Sequence, residues 1–343
     1  MPDQYTRTRA QLGTPALDVL RRAHVAVFGI GGVGGQAVEV LARSGVGELS
    51  LFDSDTVALS NLNRQLVALH STLGQYKVDA MAARIADIDP TIIVHANRMF
   101  YNAETAPDVD LTQFDYVLDC IDTVSAKLLL IRCCKKAGVP ILCSMGAANK
   151  LDPTAFRVAD IEKTTMDPLA KVIRLECRKR RLGKVKVVFS EEQTLPPLPE
   201  EIEEAPTAAR RTVPASNAFV PAACGLVCGS EVVKDLLRKA GAKGIHMRVS
   251  APPFVSECYY GTDIDDKNKL IANHHTVEEI AEIIGVDSLG YLSLSDVVKL
   301  ADHTESGFCT ACFGGGYPTS VPQDSNKDRF ECKISEREKQ ESV

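Results

Sequence analysis

An α/β fold, with a mainly parallel sheet covered by helices on both faces and a small segment appended at the C-terminus, is predicted by three observations. Short apolar runs alternate with helix-like segments through the first 144 residues, a glycine cluster follows the first run without a gap, and the second run ends in acids. Strands are expected near 25–28, 48–52, 92–96, 116–119 and 140–144, and helices near 36–44, 77–87 and 123–137. In such a sheet a ligand sits at the carboxyl ends of the strands, where Gly29, Asp53 and Asp122 all fall.

The elements can be taken in order. Val25-Ala26-Val27-Phe28 reads as a buried strand, and Gly29-Ile30-Gly31-Gly32-Val33-Gly34 follows as a turn where backbone can approach a phosphate. This is a Rossmann-like nucleotide-binding opening. The next apolar run, Leu49-Ser50-Leu51-Phe52, ends in Asp53, whose carboxylate could accept hydrogen bonds from ribose hydroxyls. These features alone do not separate a nicotinamide enzyme from an ATP user. The following residues do: Asn61, Arg64 and Gln65 in Asn-Leu-Asn-Arg-Gln, then Lys77, supply the polar and cationic groups that a triphosphate requires and a dinucleotide does not. Beyond Tyr116-Val117-Leu118 come Asp119 and Asp122, acids at a strand's carboxyl end that could hold a magnesium ion bridging phosphates; for Asp119 a structural role, capping the next helix or bonding backbone amides, stands level with metal contact. The set suits adenylation.

Composition bounds the rest. A chain of 343 residues is long enough for one large or two moderate cores. Its 45% hydrophobic and 24% charged residues are ordinary for a soluble protein, and a net charge of −6 argues against a wholly basic nucleic-acid coat. No signal pattern and no 18-residue apolar run appears, so a cytoplasmic protein without a membrane partner is expected. Eleven cysteines in that compartment read mostly as core thiols, among them Cys120, Cys133, Cys134 and Cys143. His24, His70 and His95 show no convincing partners and are read as structural.

After residue 150 the alternation weakens. Eight cations crowd into 171–186 (Lys171, Arg174, Arg178, Lys179, Arg180, Arg181, Lys184, Lys186), followed by a Pro/Glu-rich stretch from Glu191 to Pro206. Two readings stay open: a solvated helix face with a crossover loop, or a contact for an RNA backbone.

Arg7, Gly29 to Gly34, Asp53-Ser54-Asp55, Asn61 to Gln65, Gly74 with Lys77, and Asp119 to Asp122 together resemble the ubiquitin-activating-enzyme-like superfamily of ThiF, MoeB and TcdA proteins. Gly146-Ala147-Ala148 before Asp152-Pro153-Thr154, Lys163 to Ala170, Val187 to Glu191 and Phe219-Val220-Pro221 resemble the TcdA branch, the tRNA threonylcarbamoyladenosine dehydratases. The resemblance spans about residues 5–240. It implies ATP and Mg2+ as cofactors and tRNA as substrate. Arg64, Lys77 and Asp122 are then the catalytic residues, with Asp122 also the magnesium ligand, and Lys127, which matches a lysine of the family, is either a phosphate contact or a solvated charge one turn into its helix. Gly29, Gly31, Gly32, Gly34, Asp53, Asp55, Asn61 and Gln65 line the nucleotide site, and Arg7 reaches the ATP of a partner subunit in a homodimer. The alternatives are a ThiF/MoeB-like activator of a sulfur-carrier protein, with that carrier or a sulfur donor as partner, and a non-catalytic or NAD-binding Rossmann protein. Val188 stands where some TcdA sequences have a cysteine.

From Gly241 onward the chain resembles the C-terminal end of glutamine amidophosphoribosyltransferase, through His246-Met247-Arg248, Cys258-Tyr259-Tyr260-Gly261 and Phe308-Cys309-Thr310-Ala311-Cys312-Phe313. That family's nucleophilic cysteine and phosphoribosyl pyrophosphate loop are not found here. Its iron–sulfur members take three cluster ligands from positions matching Cys258, Cys309 and Cys312, so the set is one ligand short and is expected to hold no metal, the alternatives being recruitment of Cys332 or a first-domain cysteine, or zinc on three thiolates and a water. The expected organisation is an adenylating domain over 1–240, a fragment over 241–320 and a disordered tail over 321–343.

Overall fold

The computed structural model describes residues 3–195, 198, 214–241, 244, 246–259, 267–299, 309–314 and 316–320, and the chain divides into two compact units, Met1–Gly241 and Ala242–Val343. In the first unit the elements run α1 (Thr6–Leu12), α2 (Thr14–Arg22), β1 (His24–Phe28), α3 (Gly34–Ser44), β2 (Glu48–Phe52), α4 (Lys77–Ile88) and β3 (Ile93–Asn97). They continue with β4 (Tyr116–Asp119), α5 (Val124–Ala137), β5 (Ile141–Ser144), β6 (Phe156–Asp160), α6 (Pro168–Lys179), β7 (Lys186–Ser190) and α7 (Val220–Lys239).

The seven strands form one sheet in the order β3-β2-β1-β4-β5-β7-β6, parallel except for the β6–β7 pair. Alternate residues of β1 feed opposite cores: Val25 and Val27 pack with α3, α4 and α7, while Ala26 and Phe28 pack with α5 and α6. A central strand buried on both sides has to be apolar throughout, which is why β1 was legible as an unbroken run. The strand order reverses direction between β1 and β4. In open α/β sheets a ligand crevice forms at such a point.

Beyond residue 150 the structure departs from the expectation of a weakening pattern, because β6, α6, β7 and α7 complete the sheet and cover it. Helix α7 lies close against α3, and Gly225 and Gly229 make that approach possible. A Cβ at Gly225 would fall 2.3 Å from the Val33 carbonyl oxygen, and one at Gly229 2.7 Å from Val40 Cβ. Helix α6 is capped by Asp167, which accepts from the Ala170 N–H at 2.9 Å and ion-pairs with Lys150 in full burial.

The basic run is largely engaged within the fold. Arg178 pairs with Glu162, Lys179 and Arg180 share Glu176, Arg174 donates to Thr164, and Lys186 reaches Glu231 and Asp235 on α7. Most of the Glu191–Pro206 stretch lies outside the described residues.

The second unit contains a parallel pair, β8 (His246–Val249) and β9 (Ser288–Tyr291), with α8 (Val277–Ile283) between them in sequence and α9 (Leu294–Lys299) and α10 (Ala311–Gly314) after them. Thr276 and Glu279 cap α8 reciprocally. The segment expected to be disordered, 321–343, lies outside the described residues. Among the described residues no helix is long and apolar enough to cross a membrane.

Candidate active site

A cavity of about 590 Å³ opens at the carboxyl ends of the strands. Ten of the residues singled out from sequence line it: Gly29, Gly31, Gly32, Asp53, Asp55, Asn61, Arg64, Gln65, Lys77 and Asp122. Three glycines of the first turn serve different purposes. Gly29 has φ +89° and a Cβ there would meet the Cys120 carbonyl at 2.8 Å. A Cβ at Gly34 would collide with the Gly29 carbonyl oxygen at 1.8 Å, whereas one at Gly31 meets nothing within 4 Å. Gly34 is thus a packing glycine outside the cavity wall, and Gly31 faces open space.

Asp53 ties the loops together. One carboxylate oxygen accepts from the Ile30 N–H at 2.7 Å, the other from the Asp55 N–H at 2.8 Å, so the acid at the end of β2 holds the glycine turn in place. Burial pushes its carboxyl up from the ordinary value, against the opposing pull of Lys77 and those two amides. Lys77, at the start of α4, is buried and its Nζ lies 2.7 Å from the exposed Asp55 carboxylate. Arg64 donates through Nη1 to the Ser60 carbonyl and to Asn63 Oδ1, which turns the guanidinium along the cavity wall. Asn61 Oδ1 accepts from the Ala58 N–H, closing the turn that carries Arg64. Gln65 is buried, and its Oε1 has no hydrogen-bond partner among the described residues.

The two acids after β4 separate. Asp122 is exposed on the cavity rim and accepts from Thr123 Oγ1 at 3.2 Å. Asp119, by contrast, is fully buried, ion-paired with Lys127 Nζ at 2.9 Å, and accepts from the Ile121 N–H at 3.0 Å. Of the two roles open to Asp119, the geometry corrects the magnesium ligand and matches the structural one, a bond to backbone amide. Its carboxylate is committed to Lys127 and to the turn before α5. Lys127 is neither a phosphate contact nor a solvated charge. Burial works against its ammonium, but the Asp119 carboxylate outweighs it and the pKa is raised.

Arg7 lies exposed on α1 and is not among the cavity residues of its own chain. Cys120 does line the cavity, and burial pushes its thiol far up, so that it stays protonated at neutral pH. The sequence reading missed the wall formed by Met99, Phe100 and Tyr101 and the strap of Pro214 and Ser216. A signal for the first was present, since the loop leaves β3 at the sheet's carboxyl end. The strap is recognisable only in three dimensions: Asn63 donates to the Ser216 carbonyl, Asn149 accepts from the Ala215 N–H, and Asn217 donates to the Lys150 carbonyl.

In the second unit Cys258, Cys309 and Cys312 are neighbours. Burial raises the Cys312 thiol, with smaller contributions from Cys258 and Cys309. The Cys312 carbonyl accepts from the Val255 and Ser256 N–H groups. Three thiols do not complete a four-cysteine cluster, and Cys332 lies outside the described residues.

A glycine turn at the switch point of a parallel sheet, with an acid after β2 and two cations on one wall, defines a nucleotide-binding α/β protein. The chain belongs to the ThiF family, which it matches over residues 5–254. It is 46% identical over 252 residues to the tRNA threonylcarbamoyladenosine dehydratase of Bacillus subtilis, an alignment that covers 71% of this chain and 99% of that protein. The Escherichia coli tRNA N6-threonylcarbamoyladenosine dehydratase TcdA, solved in complex with AMP, superposes with a TM-score of 0.63 at 33% identity, covering 70% of this chain and 96% of that one. The tail is similar to a different protein. A 95-residue stretch, 28% of this chain, is 47% identical to the amidophosphoribosyltransferase of Methanothermobacter thermautotrophicus and spans 20% of that enzyme.

Proposed function

We propose that the chain is an ATP-dependent tRNA threonylcarbamoyladenosine dehydratase, which activates the carboxylate of that modified nucleoside and closes it into a ring. The observation that carries this reading is one cavity lined by Asp53, Arg64, Lys77 and Asp122, in a chain alignable with nearly the whole of a relative named for that reaction.

The carboxylate is ionised near neutral pH and needs no base. One of its oxygens attacks the α-phosphorus of ATP, the α–β bridging P–O bond breaks, and pyrophosphate leaves. A nitrogen of the same modification then attacks the acyl carbon of the adenylate. It loses its proton, and AMP departs with the former carboxylate oxygen. Ring closure balances as loss of one water, and no cysteine of the chain takes part.

Catalysis in such a sequence is charge stabilisation and alignment. Lys77, held at the wall by Asp55, and Arg64 would oppose charge on the phosphates, while Asp53 would accept from the ribose with lone pairs left over from its two amides. Gln65 Oε1, buried without a donor among the described residues, would accept from a ligand N–H or O–H. Magnesium fits the site at Asp122, an exposed hard oxygen donor on the rim, where a bound ion would offset phosphate charge. Arg7, outside its own cavity, is read as serving the nucleotide of a second copy.

The test is incubation of purified protein with ATP, magnesium and tRNA carrying threonylcarbamoyladenosine. Mass spectrometry should find the nucleoside short by one water, dependent on ATP. An unchanged nucleoside alongside active ATP–pyrophosphate exchange would instead favour a carrier-protein substrate.

The basic run supplies a second check. Exposed ion pairs such as Arg178–Glu162 hold little energy, so RNA phosphates can compete for the cations. Reversing Arg178, Arg180 and Arg181 to Glu should weaken tRNA binding and flatten its salt dependence, by about 0.9 in log–log slope for each duplex phosphate that is no longer neutralised. ATP binding should stay unchanged. An unaltered salt slope would return the run to a solvated face.

The amidophosphoribosyltransferase-like segment is read as dispensable for the chemistry. Truncation after residue 240 is expected to preserve adenylation. The three tail thiols should bring no stoichiometric metal on anaerobic purification. Iron or zinc that disappears on Cys309→Ser would overturn this and make the tail a metal-stapled module.

A further inference from the structure

On the sheet face that carries Ala26, Phe28 and Phe52, three titratable side chains cluster at the far end from the buried Asp119 of the same face. His24 opens β1 and is in register with Glu48, which opens β2, while His95 lies in β3 opposite Ser50. Glu48 Oε1 is 2.8 Å from His95 Nε2 and 3.5 Å from His24 Nδ1, and the two imidazole rings are 5.6 Å apart. One donor atom from each side chain lies within 4.8 Å of the other two, the one group of this kind among the described residues.

We propose that His24 Nδ1, Glu48 Oε1 and His95 Nε2 form a binding site for a divalent first-row transition-metal ion of the zinc class. Zinc bonds of about 2.0–2.2 Å to nitrogen and oxygen put tetrahedral donor atoms roughly 3.3–3.5 Å apart. The His24–Glu48 separation already has that length, while the two imidazole nitrogens, within 4.8 Å of one another, would have to close onto the ion. The shorter His95–Glu48 separation opens by a fraction of an ångström as the ion replaces their direct contact. Two imidazoles and one carboxylate select this class over magnesium or calcium, which take oxygen donors.

A further contact supports the assignment. His24 Nε2 lies 2.8 Å from Ser50 Oγ, and Ser50 is itself buried. The ring also has a hydrogen bond to the Gln113 carbonyl, and of its two tautomers the one whose Nε2–H donates to the Ser50 hydroxyl leaves the lone pair on Nδ1, facing Glu48, as a bound ion requires. This is the outer-shell arrangement that fixes the tautomer of a metal-binding histidine. The edge of Phe114 holds the same ring at 4.8 Å between centroids. Access is from the His95 side, whose side chain is 48% exposed against 12% for His24.

The place of the row in the sheet indicates its role. His24 and Glu48 lie at the amino ends of their strands, whereas the nucleotide cavity is at the carboxyl ends. The ion therefore takes no part in phosphate chemistry. It ties β1 and β2 to β3, the edge strand, where Ile93 is 55% exposed and apolar packing is thin.

The test uses the full chain with Cys258, Cys309 and Cys312 changed to serine, so that tail thiols cannot contribute, stripped with chelator and titrated with zinc chloride by calorimetry. One zinc per chain is expected, with a Kd of about 10 μM or tighter. A rise in melting temperature of about 5 °C or more should appear at a hundredfold excess over Kd. His95→Ala and the isosteric Glu48→Gln should each weaken binding by more than tenfold, and Ser50→Ala by roughly tenfold, the loss typical of an outer-shell partner. His95 is exposed enough for its replacement to leave the fold intact, as circular dichroism will report. No uptake below about 100 μM zinc, or uptake unchanged in both His95→Ala and Glu48→Gln, overturns the site.

Discussion

Arg64→Ala, Lys77→Ala and Asp122→Ala are each expected to lower ATP-dependent turnover by about 10²-fold or more, while circular dichroism and the melting curve stay close to those of the parent chain. All three side chains line one cavity, and each would meet charge that exists only with the triphosphate bound. Arg64 makes its protein contacts within its own turn, to Ser60 and Asn63, and Asp122 sits exposed on the rim, so neither removal opens the core. Lys77 is the most sensitive of the three to context, because its buried stem leaves Asp55 without a counterion when removed. Asp55 is exposed and water can take over. Gly31→Val should be worse for activity and equally mild for the fold. Its Cβ meets nothing within 4 Å, so the isopropyl group would project into the space that a phosphate approaching the backbone has to use. Gly34→Val would show the contrast, failing to fold because its Cβ would overlap the Gly29 carbonyl. Single-turnover rates measured with nucleotide binding in parallel will separate the two kinds of loss. Full activity in all three charge variants would remove the adenylation site from this cavity.

The parallel core was readable from sequence because each central strand, buried on both faces, has to be an apolar run, and because the turns after β1 and β2 carry glycine and aspartate for local reasons. The elements after residue 150 were not. Strand β7 has only Val187, Val188 and Phe189 as an apolar centre, with lysines just before it and glutamates just after, so its period is lost among charges. Helix α7 carries Pro221, Gly225 and Gly229, which lower helix propensity in isolation but admit α3 at close range. In the site, residues that act through local backbone were found, and residues that act through register were not. Asp53 was identified by its place after a strand. The row of His24, Glu48 and His95 depends on which residue of β3 lies opposite Ser50, and no spacing along the chain reveals that. The buried Asp119–Lys127 pair was seen as two separate residues, because a strand end and a helix interior eight positions apart meet only once the intervening turn has folded back.

That pair sets the largest expected effect on stability. With Asp119 and Lys127 both fully buried, Asp119→Asn leaves an ammonium in the core without its counterion, and the folded state should lose about 3–5 kcal/mol. For a unit of this size the melting temperature should fall by roughly 10 °C. Lys127→Met should cost a similar amount by stranding the carboxylate. Removing both charges with little change in volume, as Asp119→Val with Lys127→Met, should recover most of the loss, because desolvating two ions offsets much of what their attraction returns. Activity is expected not to recover with it. Asp119 Oδ1 also accepts the Ile121 N–H, and Ile121 and Asp122 line the cavity, so the double variant frees the turn that aims Asp122. A displacement of about 1 Å there can cost up to about 10²-fold in rate. Thermal melts and turnover measured on the same four proteins, parent included, separate these contributions. Recovery of both stability and activity in the double variant would mean that the pair only fills space, whereas recovery of stability alone would make Asp119 the group that orients the Asp122 rim.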